Sequence, residues 1–571
     1  MLKLRHVPLV LAAGLALWSA STVSAREGGA GAYLAARLAG AQSDYVVASE
    51  YFARALAADP ENTTLMEDAA ISEVGRGEIG NALPIAQAYD KTGAKSQVAD
   101  LLILTGLAQK DDFKTAIAEL DEGRSAGELV DGLYRAWALL GLGQMSEATG
   151  AFDEVTKING LKSFGLYHKA LALASVGDFE GADAIFSGPE GGPLRSTRRG
   201  VMAHAQILSQ LERDPDAVKL IDESFGSGGD PVIAALRAEL EAGKTVPFTM
   251  VEGARDGIAE VYYTVASALG SENTDINTLA YARMAEYLAP DDADTVLLVA
   301  SILEGQGQHA LASTEFDKIG RDNPAYLQAE LGRAGALIES GRVDAAIEAL
   351  QRVAKENPAR ADIWNMLGDT YRREERFAEA ADAYDKAIAN IDTRTDIYWG
   401  LYFARGISNE RLKKWPEAEA DFRKALELQP DQPSVLNYLG YSYIERKEKL
   451  DEALKMIEKA VAERPDDGAF VDSLGWGLYR LGRYEEAVTQ MERAVELMPV
   501  DAVLNDHLGD VYWAVGRTRE AEFQWRRALS FAEDGNADAD PNRIRRKLEV
   551  GLDAVLAEEG APPLAVSKNG N

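Results

Sequence analysis

Cysteine is missing from all 571 residues. That excludes disulfides, thiolate catalysis and thiolate-ligated metal, and it removes the residue to which a lipoprotein anchor is attached. Proline (19) and glycine (51) are too few and too dispersed for a collagen-like or disordered chain. Basic charge is in short supply: 60 Lys and Arg face 92 Asp and Glu, a formal net charge of −32. Such a polyanion repels phosphate backbones, so nucleic acid is not expected as a partner. The five histidines (His6, His168, His204, His309, His507) show no metal-ligand spacing. Neither an H-E-x-x-H helix nor a G-x-S-x-G elbow occurs. No catalytic residue, metal or cofactor is therefore assigned.

Long apolar runs are also missing, with one exception. Val7–Trp18 is apolar over 12 residues, behind Lys3, Arg5 and His6 and ahead of the small-x-small tripeptide Val23-Ser24-Ala25. Roughly 20 apolar residues are needed to cross a bilayer, so residues 1–25 are predicted to be a cleaved signal peptide. The expectation is an exported, periplasmic protein without an integral membrane span. Removing 1–25 takes away Lys3 and Arg5 and no acid, which moves the net charge from −32 to −34.

What the chain does contain is a ladder of alanines. Ala48, Ala82, Ala116, Ala148, Ala182 and Ala217 recur every 32–35 residues; Ala312, Ala346, Ala380, Ala418, Ala453, Ala487 and Ala521 recur every 34–38. In most units a bulky apolar residue follows four positions later, as in Phe152, Phe186, Phe316, Tyr384, Phe422, Met491 and Trp525. Prolines such as Pro60, Pro324, Pro358, Pro430, Pro465 and Pro499 punctuate the unit ends. A period near 34 built from amphipathic helices predicts a helical solenoid. The small residues are expected where helices approach, the bulky ones between one unit and the next.

The set Trp364, Leu367, Gly368, Tyr371, Ala380, Tyr384 and Ala387, with Leu439-Gly440-Tyr443, Leu474-Gly475 and Leu508-Gly509-Tyr512, resembles the tetratricopeptide repeat family. The resemblance implies an all-α, right-handed superhelical solenoid of helix-turn-helix units. It predicts an N-terminal array of degenerate repeats at 26–229, a joint with one short helix at 230–258 and a C-terminal array at 259–535. A capping helix at 536–560 and a disordered tail at 561–571 complete the expected organisation.

Three other features suggest chemistry and are set aside. Ala238–Thr245 (AELEAGKT) matches a relaxed phosphate-loop pattern, but it lacks the strand and the glycine cradle, and Glu239 and Glu241 would repel phosphate. Asp534–Arg545 starts like a calcium loop, with Ala539 where a glycine is needed and Arg545 where a glutamate belongs; it reads better as an acidic lead-in to the last helix. Arg195, Arg198 and Arg199 form a basic cluster that could contact an acidic partner but reads better as a solvated turn. The repeats leave no stretch of roughly 100 residues for a separate catalytic domain, so the chain is not expected to be an enzyme.

In the family, the first helix of each unit lines the inner concave face. The resemblance therefore places Asn365, Asp369, Arg372, Phe403, Asn437, Tyr441, Asp472, Trp476, Tyr479, Asp506, Asp510 and Trp513 there, an aromatic and acidic strip suited to a basic peptide or protein segment. For Trp476, Tyr479 and Trp513, packing against the neighbouring helix is an equal alternative. The block Leu439–Val488 further resembles a bacterial envelope family with a lipoprotein adaptor for a carboxyl-terminal processing protease. That resemblance implies an adaptor joining an envelope protease to its substrates, here without the lipid tether. A stand-alone chaperone or assembly factor is the alternative, and an enzyme with a site at 225–258 the remote one. Oligomeric state is not legible.

Overall fold

The computed structural model describes residues 24–226, 230–270, 275–392, 395–532 and 539–564. The expected signal peptide, apart from its last two residues, and the end of the expected tail lie outside them. The described residues form 32 α-helices and no strand. The chain divides into two compact units, residues 1–349 and 350–571.

The first unit begins with hairpins α1 (Ser24–Ala41) and α2 (Tyr45–Ala58), α3 (Thr63–Gly75) and α4 (Ile79–Asp90), and α5 (Gln97–Ala108) and α6 (Phe113–Asp121). There follow α7 (Glu128–Gly141) and α8 (Met145–Lys157), α9 (Lys162–Ser175) and α10 (Phe179–Ser187), the single turn α11 (Gly191–Leu194), then α12 (Arg198–Gln210) and α13 (Asp214–Phe225). Helix α14 (Pro231–Glu241) packs its Ile233, Leu236 and Leu240 into one apolar cluster with α12 and α13. The unit continues through α15 (Ala254–Gly270) and α16 (Ile276–Leu288), α17 (Ala293–Gly305) and α18 (His309–Phe316), and α19 (Tyr326–Glu339). The division falls within α20 (Val343–Glu356).

The second unit holds α21 (Ala361–Arg373) and α22 (Phe377–Ile388), α23 (Trp399–Arg411) and α24 (Trp415–Leu428), and α25 (Pro433–Arg446) and α26 (Leu450–Glu463). It ends with α27 (Gly468–Arg480) and α28 (Tyr484–Leu497), α29 (Ala502–Ala514) and α30 (Thr518–Phe531), and α31 (Pro541–Val550) and α32 (Leu552–Glu558).

Local chemistry sets the hairpins. Asp467 and Asp501 cap α27 and α29 by accepting from the amides of Phe470 and Leu504, at 3.3 and 3.0 Å. Gly482 turns α27 into α28 with a left-handed φ of 75°. Every rung of the alanine ladder is fully buried. The bulky residue four positions on lies over the glycine of its own hairpin, not only between units. A Cβ on Gly368, Gly406, Gly475 or Gly509 would come within 2.4–2.8 Å of Tyr384, Phe422, Met491 or Trp525. At these four positions the small residue makes room for a side chain; at Gly440 it admits both the Ile457 side chain and the backbone carbonyl of Ala453, which would lie 2.7 and 2.9 Å from a Cβ.

Three expectations need correction. The stretch 230–258 does not separate two cores: one apolar cluster runs from Tyr45 to Ala336. Helices α15 and α16 lie across the row of first helices α3, α5, α7 and α9. A Cβ on Gly257 would sit 2.1 Å from the Trp137 ring, and the Tyr281 hydroxyl donates to the Ala126 carbonyl at 2.7 Å. Residues 242–253, expected as a joint, strap onto α12, with Gln210 Nε2 donating to the Val246 carbonyl at 2.6 Å and the Thr249 amide donating to Gln206 Oε1 at 3.0 Å. Finally, the expected capping helix is two helices, broken at Gly551 with φ 84°.

Candidate functional site

The first helices of the second unit, α21, α23, α25, α27 and α29, carry the twelve residues expected to meet a partner, and the structure sorts them. Asn365, Asp369, Arg372, Phe403, Asn437, Tyr441, Trp476 and Trp513 are half-buried. Asp472, Tyr479, Asp506 and Asp510 are buried, at 5, 8, 5 and 1% exposure, and are closed to a partner in this arrangement.

Helix α31 closes the last repeat. Lys547 Nζ, itself buried, donates to Asp506 at 2.8 and 2.9 Å and to Asp510 at 2.6 Å. Asp510 also accepts from Trp525 Nε1 at 2.9 Å. Trp513 Nε1 donates to Asp553 at 3.0 Å, and its ring lies against Gly551. Packing, the alternative raised for Tyr479 and Trp513, is what the structure shows. Lys547 carried a legible signal, a lone lysine on the apolar stripe of Ile544 and Leu548.

Trp476 sits at the centre of the next repeat. The His507 ring stacks on it at 4.0 Å and 12°, and the Tyr479 ring at 4.8 Å and 19°. Its Nε1 donates to Glu445 at 2.6 Å, a carboxylate that also holds Arg480. Asp472 receives His507 Nδ1 at 3.1 Å. Burial pulls the His507 imidazole down, but Asp472, Asp506 and Asp510 outweigh it and hold the pKa above its ordinary value. Counting inward-facing positions missed His507 because it lies one residue past Asp506, on the side of α29 that meets α27.

Nearer the start of the unit the face is more open. Asp369 accepts from the Tyr384 hydroxyl at 2.8 Å and from Arg372 at 3.4 Å. Phe403 meets Trp399, Phe422 and Tyr438 with centroids 5.7–6.2 Å apart. Asn437 Oδ1 is buried without a hydrogen-bond partner. The result is a strip of aromatic edges and amides bordered by Asp369 and Glu445.

The features set aside in the sequence resolve plainly. Ala238–Thr245 begins in the last turns of α14 and, among the described residues, no strand precedes it. Asp540 caps α31 by accepting from the Asn542 amide at 2.9 Å, which accords with the acidic lead-in; residues 533–538 lie outside the described part. The arginine cluster is not a solvated turn. Arg199 is buried and bidentate to Glu260, at 2.5 and 3.1 Å, and Arg198 reaches Asp230 and Asp294 at 2.5 and 2.6 Å. Among the described residues no cluster of His, Asp and Glu is arranged to hold a metal, and no helix is long and apolar enough to cross a membrane.

Tetratricopeptide-repeat models match residues 331–394 and 445–503, and 399–432. A TPR repeat-containing protein of Pseudomonas aeruginosa is 31% identical over 183 residues, 32% of this chain and 30% of that protein. The cytochrome c-type biogenesis protein CycH of the same organism is 28% identical over 135 residues, 23% of this chain and 32% of that one. The chain thus spans under a third of either relative. In the crystal structure of the APC/C hetero-tetramer Cut9–Hcn1, a chain 16% identical covers 93% of this one, is itself covered over 99%, and gives a TM-score of 0.36. Helical hairpins and fully buried ladder alanines accompany the matches there: residues 331–394, 399–432 and 445–503 are tetratricopeptide repeats.

Proposed function

We propose that this chain is a periplasmic scaffold or adaptor that holds protein or peptide partners on the first-helix face of its second unit, and that it is not an enzyme. Tetratricopeptide repeats imply protein partners. The observation that carries the reading is the strip left uncovered there: Asn365, Asp369, Arg372, Phe403, Asn437, Tyr441 and Trp476 are half-buried on successive first helices, beyond the reach of α31. Aromatic edges beside carboxylates suit a segment of basic character. Bringing an envelope protease and its substrate together is the finer form, supported by the resemblance of Leu439–Val488 to envelope adaptors. It needs no chemistry of its own, because tethering acts through effective concentration.

A photo-crosslinking residue placed at Tyr441 tests the site. The control position is Phe523, 63% exposed on α30. Discrete protein adducts from Tyr441 in a periplasmic extract, lost in an Asn437→Ala/Asp369→Lys background, are the expected result. Equal adducts from both positions refute the face as the binding site.

A further inference from the structure

The first unit holds a second site that the repeat motif does not explain. A cavity of about 320 Å³ opens between α9, the start of α12 and α15, near the small end of ligand pockets at ~300–1,000 Å³. Its walls are largely apolar, from Phe164, Tyr167, Leu194 and Tyr263, and its rim carries the exposed Ser267 and Ala268. The floor is fixed in advance. The Tyr167 hydroxyl donates to Glu260 at 2.8 Å, Arg199 clamps the same carboxylate, and the Arg199 guanidinium lies 4.3 Å over the Tyr263 ring. A pocket so braced orders little on binding, which lowers the cost of filling it.

Charge selects the occupant. Arg198 and Arg199 are matched by Asp230, Glu260, Asp292 and Asp294, so neither guanidinium is left for an anion. Beyond Arg199 the cavity adjoins a cleft of about 610 Å³ that adds Glu252, Asp256 and Asp291. Six carboxylates therefore line the paired recesses beside two arginines, and Asp230 pairs with Arg198 from outside them. An acidic or neutral segment gains nothing from that surplus, whereas a cationic one does.

We propose that this cavity is a docking site for a basic protein segment, seating one large apolar side chain while a neighbouring lysine or arginine lies in the acidic cleft. The site is separate from the face of the second unit and does not depend on it.

Two fluorescent twelve-residue Gly/Ser peptides test it on the purified full chain, one carrying Phe-Gly-Lys-Lys and the other Phe-Gly-Glu-Glu. The lysine peptide is expected to bind at least about tenfold more tightly. Ala268→Trp, at an exposed rim position, should weaken it by about tenfold or more at unchanged melting temperature, while Phe523→Ala, at an exposed position on α30, leaves it unaltered. With p-benzoylphenylalanine replacing Phe, adducts should map to residues 163–199 or 263–268. Equal affinity for the two peptides, insensitivity to Ala268→Trp, no adduct within residues 163–199 or 263–268, or no binding of the lysine peptide would each overturn the proposal.

Discussion

His168 offers a quantitative check on how tightly α15 seals the first array. The ring is fully buried between α7 and α15. Trp137 Nε1 donates to its Nδ1 at 3.2 Å, and an indole nitrogen can only donate, so Nδ1 is the acceptor and Nε2 carries the proton toward Thr264 Oγ1 at 3.3 Å. A second proton on Nδ1 would face the indole N–H. Burial alone pushes the pKa from the ordinary 6.5 down to about 3. The rings of Trp137 and Tyr167 meet it edge-on, and beyond Tyr167 the charges of Glu260 and Arg199 are paired with one another. Because the folded state keeps the imidazole neutral, the unfolded chain binds one more proton between those two values. Stability contributed by this site is complete above 6.5 and falls as pH is lowered toward 3. From pH 7 to pH 5 the loss is about 2 kcal/mol. Urea melts of wild type and His168→Gln at the two pH values give the difference directly, since contributions from His204 and His507 cancel. Gln keeps one acceptor and one donor, so its own cost is independent of pH. Parallel slopes for the two proteins would show that His168 is not sealed by α15.

Other perturbations read other contacts. Gly257→Ala places a Cβ 2.1 Å from the Trp137 ring and should destabilise the first unit by about 1–3 kcal/mol, seen as a lowered first transition in a calorimetric melt. Lys547→Met removes the ammonium shared by Asp506 and Asp510, leaving Arg543 3.7 Å from Asp510, and should cost up to about 3–5 kcal/mol in the second unit. Adding Asp506→Asn and Asp510→Asn should recover most of it, and no recovery would mean that the lysine acts by packing. Lys413 holds a left-handed φ of 61° in the turn between α23 and α24, the slot that Gly482 fills in a later repeat; Lys413→Gly should leave stability unchanged or raise it by up to about 1 kcal/mol in the same melts.

The repeat architecture was legible because it is local. The ladder from Ala48 to Ala521, the left-handed Gly482 and the caps at Asp467 and Asp501 are each decided within one hairpin. What could not be read depends on where distant helices return. Nothing within Ala254–Leu288 announces that α15 and α16 will lie across α3, α5, α7 and α9. Only Gly257, an unexplained small residue beside apolar ones, and Glu260, a carboxylate on the buried side of a helix, hint at close neighbours. The same holds for the candidate site. The face residues of each first helix follow from the repeat register, but that register cannot show that Lys547 will arrive about forty residues later to close over Asp506 and Asp510. Arg198 and Arg199 were misread for a related reason: their carboxylates lie 32 to 96 residues downstream.

These returns share one consequence for function. A row of first helices is a generic docking face, yet here much of it is spent internally. In the first unit α15 and α16 occupy it, with Tyr262, Tyr281 and Glu260 hydrogen-bonded to Thr105, Ala126 and Tyr167. In the second, α31 takes the last repeat. What remains is bounded by Asp369 at one end and by the Trp476–His507 stack at the other. Because His507 is wedged against Asp472 and the stack shares Glu445 with Arg480, this end is held in one geometry before any partner arrives. Preorganisation of that kind favours a specific segment over a range of them. The carboxylates Glu260, Asp292 and Asp294 meanwhile keep the first unit's cavity hostile to anions. The carboxylate surplus on this chain of net charge −32 therefore bears on the first unit's cavity, whereas on the second unit's face Asp369 and Glu445 are already paired with Arg372 and Arg480, and fit there rests on shape and aromatic edges.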